Sequence, residues 1–232
     1  MLRFAVLLLA STAAFSQYKL EPAGEPPSEV APDILVTLSK SGTKIEADNG
    51  STLAEIWMRA SAPRIPPPPK SPVALSKSAV LSNPGAPSKL VMPSKPMEPF
   101  KPKEAISEIP SGALVGVLRL AGKGSDMRGQ PIAAGSYTLR YLGASNKADA
   151  LHRDFILLIP AAIDKSTRTI TRFDTLLDES RKASGTTNPA MFGFWKAGGD
   201  FKPGIEKSGP ADWVLQTKLG DVAICILMGQ TE

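Results

Sequence analysis

The run Asp154-Phe155-Ile156-Leu157-Leu158-Ile159, stopped by Pro160, decides the fold. It is β-branched and aromatic, too short for a helix, and apolar without alternation, which is the pattern of a central strand covered on both faces. Pro160 cannot donate to a ladder and ends it. Working outward, Ser136-Tyr137-Thr138-Leu139-Arg140-Tyr141 follows Gly135 as a second strand, and 113–120 is a third. Toward the C-terminus, 211–217 and 221–228 flank Lys218-Leu219-Gly220 as a hairpin. Toward the N-terminus, 43–47 and 52–59 flank Asp48-Asn49-Gly50-Ser51, whose Asn-Gly pair supplies the positive φ of a tight turn. Residues 33–38 read as a further short strand. One helix is expected over 171–184, with Thr171 as its cap, Phe173, Leu176, Leu177 and Ser180 on one face and Gly185 at its end. About eight or nine strands and one short amphipathic helix predict a mainly β protein, an antiparallel β-sandwich rather than alternating β-α units.

Between these strands lies a segment of different composition. Residues 62–103 hold 12 of the chain's 22 prolines, which remove backbone donors every few positions and leave coil and polyproline II as the available conformations. The segment reads as a disordered Pro/Lys-rich linker or inserted loop. It also carries seven Lys and Arg against one acid, while the whole chain sums to only +5. The basic balance is therefore local to it, which removes the main support for nucleic-acid binding. Lys89, Lys95, Lys101 and Lys103 are candidate contacts for an anionic envelope polymer, a lipid headgroup or another envelope protein. The expected organisation is 1–16 signal peptide, 17–28 flexible, 29–61 N-terminal strands, 62–103 linker or inserted loop, and 104–232 the main part of the sandwich.

Arg3, the apolar run 4–10, and small residues Ala14 and Ser16 before Gln17 have the form of a cleaved secretory signal. The apolar run is far shorter than the roughly 20 residues of a spanning helix. The expectation is export to the periplasm or medium, with no transmembrane segment after cleavage. A single cysteine, Cys225, excludes an intramolecular disulfide.

Arg128-Gly129-Gln130-Pro131-Ile132-Ala133-Ala134-Gly135-Ser136-Tyr137-Thr138-Leu139-Arg140-Tyr141, continued by 154–162 and 180–186, resembles a group of uncharacterised exported bacterial β-sandwich proteins that read RGxPIxxGxYTLRY and DFLLLxPAA. The resemblance implies the fold and export, and no activity.

The chemistry-bearing residues are few. His152 is the only histidine and sits beside Arg153 and Asp154, with no G-x-S-x-G anywhere, so a serine triad has little to build on. Ser41-Gly42-Thr43-Lys44 matches S-x-x-K in spacing but follows a strand-like run, where a helix is needed to bring amine to hydroxyl. Gly122 and Gly124 suit a hairpin loop better than a phosphate cradle, because Pro131 blocks the helix start. Asp174 and Asp178 lie among Arg172, Arg181 and Lys182 and read as a salt-bridged face. Cys225 reads as a core residue. The aromatic set Phe192, Phe194, Trp195, Phe201 and Trp213 could form core or line a groove, with Trp195 and Trp213 as candidate binding residues. No catalytic, metal or cofactor residue is expected. The sequence favours a non-enzymatic binding or structural module of the envelope, the alternative being a hydrolase or isomerase acting on envelope polymers.

Overall fold

A computed structural model describes residues 18–65, 106, 108–143, 154–209 and 212–229. The signal-like residues, the four candidate lysines and His152 lie outside them. The mainly β, antiparallel reading holds, and the strands form one continuous sheet of ten in the order β1-β2-β3-β4-β7-β8-β9-β12-β11-β10. In chain order these are β1 (Tyr18–Ala23), β2 (Gly42–Ala47), β3 (Thr52–Met58), β4 (Leu114–Leu120), β7 (Gly135–Leu142), β8 (Asp154–Pro160), β9 (Met191–Lys196), β10 (Gly204–Lys207), β11 (Trp213–Leu219) and β12 (Val222–Met228). A small hairpin, β5 (Gly124–Ser125) with β6 (Pro131–Ile132), occupies the loop that holds Gly122 and Gly124. The sheet wraps until its edge strands meet. β1 lies against β10 without a ladder, and the Tyr18 and Trp213 rings touch with centroids 4.1 Å apart.

Strand alternation fills the interior. Ile56, Leu118, Leu139, Ile156, Leu158, Phe192, Phe194, Leu215 and Ile226 form its centre. The space left near Tyr18, Ile45, Phe192, Trp213 and Met228 is about 10 Å³, close to the smallest that holds one water. β8 is covered on both faces as its composition requires. Ile156 and Leu158 point inward, while Leu157 and Ile159 pack outward against Leu176 of helix α2 (Phe173–Ser184). β3 and β4 pair from Ala54↔Leu120 to Met58↔Gly116, so the strands before and after the proline-rich stretch are neighbours in one sheet.

Three local expectations are corrected. Within 33–38, Pro32–Leu35 forms the single-turn helix α1, because Pro32 pre-sets the first-turn φ and Ile34 turns into an outer cluster with Val30, Leu38, Trp57 and Val117. Tyr18–Ala23, inside the stretch expected to be flexible, is the edge strand β1, with Tyr18 and Leu20 facing the core. Helix α2 starts after Arg172 with no side-chain cap, and its buried face is Leu176, Ser180 and Ala183, leaving Phe173 exposed. Gly185 ends it in the left-handed conformation.

Candidate functional site

With the interior filled, room for a ligand lies on the surface. The larger cleft, about 540 Å³, covers the outer face of β9, β12, β11 and β10. Register builds its floor. Trp195 pairs with Cys225, Cys225 with Gln216, and Gln216 with Gly204, so the outward side chains of three strands line up in one row that ends at Gly204 of the fourth. Trp195, Cys225 and Leu227 are buried there as a small apolar patch, with Met127, Ala197 and Val214 beside them. Asp200, Lys202, Glu206, Lys207 and Ser208 form the rim. Two acids face two lysines, so the rim is balanced in charge and rich in donors and acceptors, the composition that holds a polar ligand over an apolar floor.

The aromatic set divides across this sheet. Phe192, Phe194 and Trp213 point into the core, and Trp195 points outward, so Trp195 and Trp213 do not share a shelf. Trp195 is only 6% exposed and forms floor rather than platform. Lys207 lies 5.8 Å from the centre of the Trp213 ring at the seam.

A second cleft of about 370 Å³ opens where β2 and β3 approach the end of β11. Ser39, Ser41, Thr43, Arg59, Thr217 and Lys218 line it together with Ile56, Met58 and Pro203. Its wall is held by the Gly220 amide, which donates to the Arg59 carbonyl at 3.1 Å. Ser41 and Lys44 of the S-x-x-K spacing lie at and within an extended strand, and Lys44 pairs with Glu46 at 2.6 Å.

Two polar clusters that sequence reasoning passed over prove to be clasps. Arg140 on β7 is fully buried and spends every donor: it bonds both oxygens of Asp164, at 2.8 and 2.7 Å, and the carbonyls of Gly112, Ser166 and Arg168. Thr138 completes the group by donating to Asp164. The alternation Tyr137-Thr138-Leu139-Arg140-Tyr141 already places Thr138 and Arg140 together on the outer face. The second clasp joins the two motif segments. Asp126 accepts from the amides of Arg128 and Gln130, at 2.8 and 3.0 Å, and Gln130 in turn bonds Thr186 and the Asn188 carbonyl. Asp178 pairs with Arg181 on the exposed face of α2.

Among the described residues no three of His, Cys, Asp and Glu come together as a metal-binding group, and no helix is long and apolar enough to cross a membrane. No family model, no curated protein and no solved structure matches the chain.

Proposed function

We propose that the protein is exported and works without catalysis as a binding or structural module of the cell envelope, holding a polar envelope polymer in the cleft over Trp195. The observation that carries this reading is the row Trp195, Cys225 and Gln216, with Val214 beside it, beneath a charge-balanced rim, on a sheet whose interior space near Tyr18 and Trp213 is only about 10 Å³. Four strands fixed by a ladder make a rigid floor, so ordering the site on binding costs little. The signal-like N-terminus, and the likeness of 128–141 to exported proteins, support the compartment in which such polymers occur.

The test is cosedimentation of the mature protein with purified envelope polysaccharide and peptidoglycan. Gln216→Trp places an indole in the cleft without touching the core. Pelleting with either polymer that is lost in Gln216→Trp at unchanged melting temperature supports the reading. Absence of pelleting with both, or pelleting that the substitution does not change, overturns it.

A further inference from the structure

We infer that the second cleft is the open inner end of the wrapped sheet and takes an uncharged, hydroxyl-bearing ligand of about sugar-ring size, the end residue of a neutral glycan. This inference is independent of the Trp195 cleft, which lies on the outer face. Register places the second cleft inside. Thr43 pairs with Ile56 and Thr217 with Ile224, and both isoleucines belong to the interior core, so the two threonines point inward beside them. Tyr18 and Trp213 meet at the opposite end of these strands. Barrel mouths are a common seat for small ligands, and the volume of about 370 Å³ lies in the range of such pockets.

The inward lining carries no charge. Arg59 borders the cleft but alternates with the inward Met58 and shares the outer side with Leu38 and Trp57, while the Lys218 ammonium lies 5.9 Å from the centre of the Phe201 ring. No Asp or Glu of the described residues lines it. What remains is an apolar floor of Ile56, Met58 and Pro203 with the hydroxyls of Ser39, Ser41, Thr43 and Thr217. Among the described residues none of these four hydroxyls has a hydrogen-bond partner, whereas those of Thr37, Ser136, Thr138 and Ser180 each donate to a neighbour. A hydroxyl both donates and accepts, so the set matches ligand hydroxyls, and the floor suits the C–H face of a sugar ring. A charged group would give up water here and meet no countercharge. The wall is already in place. The Gly220 amide donates to the Arg59 carbonyl at 3.1 Å, and a Cβ on Gly220 would lie 2.9 Å from the Ala62 amide nitrogen, so the β11–β12 turn is seated tightly against the chain leaving β3. A preformed cup loses little freedom on binding.

The test is calorimetric titration of the full mature chain with methyl glucoside, methyl N-acetylglucosaminide, glucuronate and glucosamine. Binding of either neutral glycoside, unaffected by salt, and binding of the two charged sugars weaker by about tenfold are expected. Thr43→Val and Thr217→Val each delete one hydroxyl at nearly constant shape, and each should weaken the neutral glycoside by about threefold to tenfold at unchanged melting temperature. Ser41→Trp, at an exposed position on the rim, fills the cup and should abolish binding. Gln216→Trp, which fills the outer cleft, should leave it as it is. The inference is overturned if neither neutral glycoside binds at about 10 mM, where a site of about 1 mM affinity is mostly filled. It is equally overturned if a charged sugar binds as tightly as the neutral ones, or if Ser41→Trp and both valine variants bind as the parent protein does.

Discussion

Arg140 and Asp164 meet through two parallel hydrogen bonds of 2.8 and 2.7 Å, in a place where both side chains are sealed from water. The remaining guanidinium donors fix the carbonyls of Gly112, Ser166 and Arg168, so one side chain on β7 ties down the crossing from β8 to α2. Removing either partner strands a buried charge. Arg140→Met or Asp164→Asn should each lower the unfolding free energy by about 3–5 kcal/mol, read by urea denaturation. Arg140→Lys should rescue little, since an ammonium cannot form the fork. The pair Arg140→Met with Asp164→Leu should lose less than the sum of its parts.

Alkaline pH should reveal Tyr141. Its hydroxyl donates to the Ile106 carbonyl at 2.8 Å, and burial first, then the charge of Asp154, pushes the phenol well above its ordinary range. Burial raises Tyr137 as well. A raised phenol means that the folded state keeps a proton the unfolded chain gives up. The resulting stability is whole below the unfolded value of about 10 and is lost as pH rises beyond it. Denaturation midpoints measured from pH 8 to 11 should therefore fall, and fall less steeply in Tyr141→Phe. Equal slopes in the two proteins would refute this assignment.

Gly112 and Gly185 both have positive φ, at 83° and 66°, yet they should respond differently to alanine. A Cβ at Gly112 would lie 1.9 Å from the Ile170 carbonyl oxygen, whereas one at Gly185 meets nothing within 4 Å. Gly185→Ala carries the left-handed penalty alone, about 1–2 kcal/mol. Gly112→Ala adds a backbone collision and should cost about 2–4 kcal/mol. Thermal melts of the two variants side by side decide the point.

Cutting the chain within 66–103 should leave one particle. β3 pairs with β4 over five residue pairs, and Trp57 is buried with Leu114 and Val117. With a protease site engineered into that stretch, the two products should co-elute on size exclusion after cleavage. The C-terminal product expressed alone should melt at lower temperature, having lost β1 to β3. Separate elution and an unchanged melt would instead mark two independent modules.

Where composition and periodicity coincide, the fold is legible. The run 154–159, the Asn-Gly hairpin and the terminal hairpin all carry apolar patterns that suit a strand, although the expected 211–217 and 221–228 are met as Trp213–Leu219 and Val222–Met228, with Lys218 and Leu219 in the strand and not in the turn. Ile34 to Leu38 misleads, because β-branched residues after a proline fit a first helical turn as well as a strand. β1 is hidden because Lys19 and Glu21 hold the outer side of an edge strand and Pro22 cuts short the apolar alternation of Tyr18 with Leu20. The candidate sites are less legible for a geometric reason. Trp195, Cys225 and Gln216 become neighbours through ladder registers that link distant segments, and composition does not encode register.

The seam between β1 and β10 also bears on how fast the protein folds. Tyr18 and Trp213 are about 195 positions apart, and contacts of such long separation form slowly because a large loop must close first. Hairpins such as β11 with β12 can form early and locally, but the sheet cannot wrap shut until β1 finds β10. The seam should therefore be the final event, visible as a slow change in Trp213 fluorescence after the strand signal is complete. Until that moment both sheet edges remain open to other chains, so the interval before closure is when the protein is most prone to aggregate.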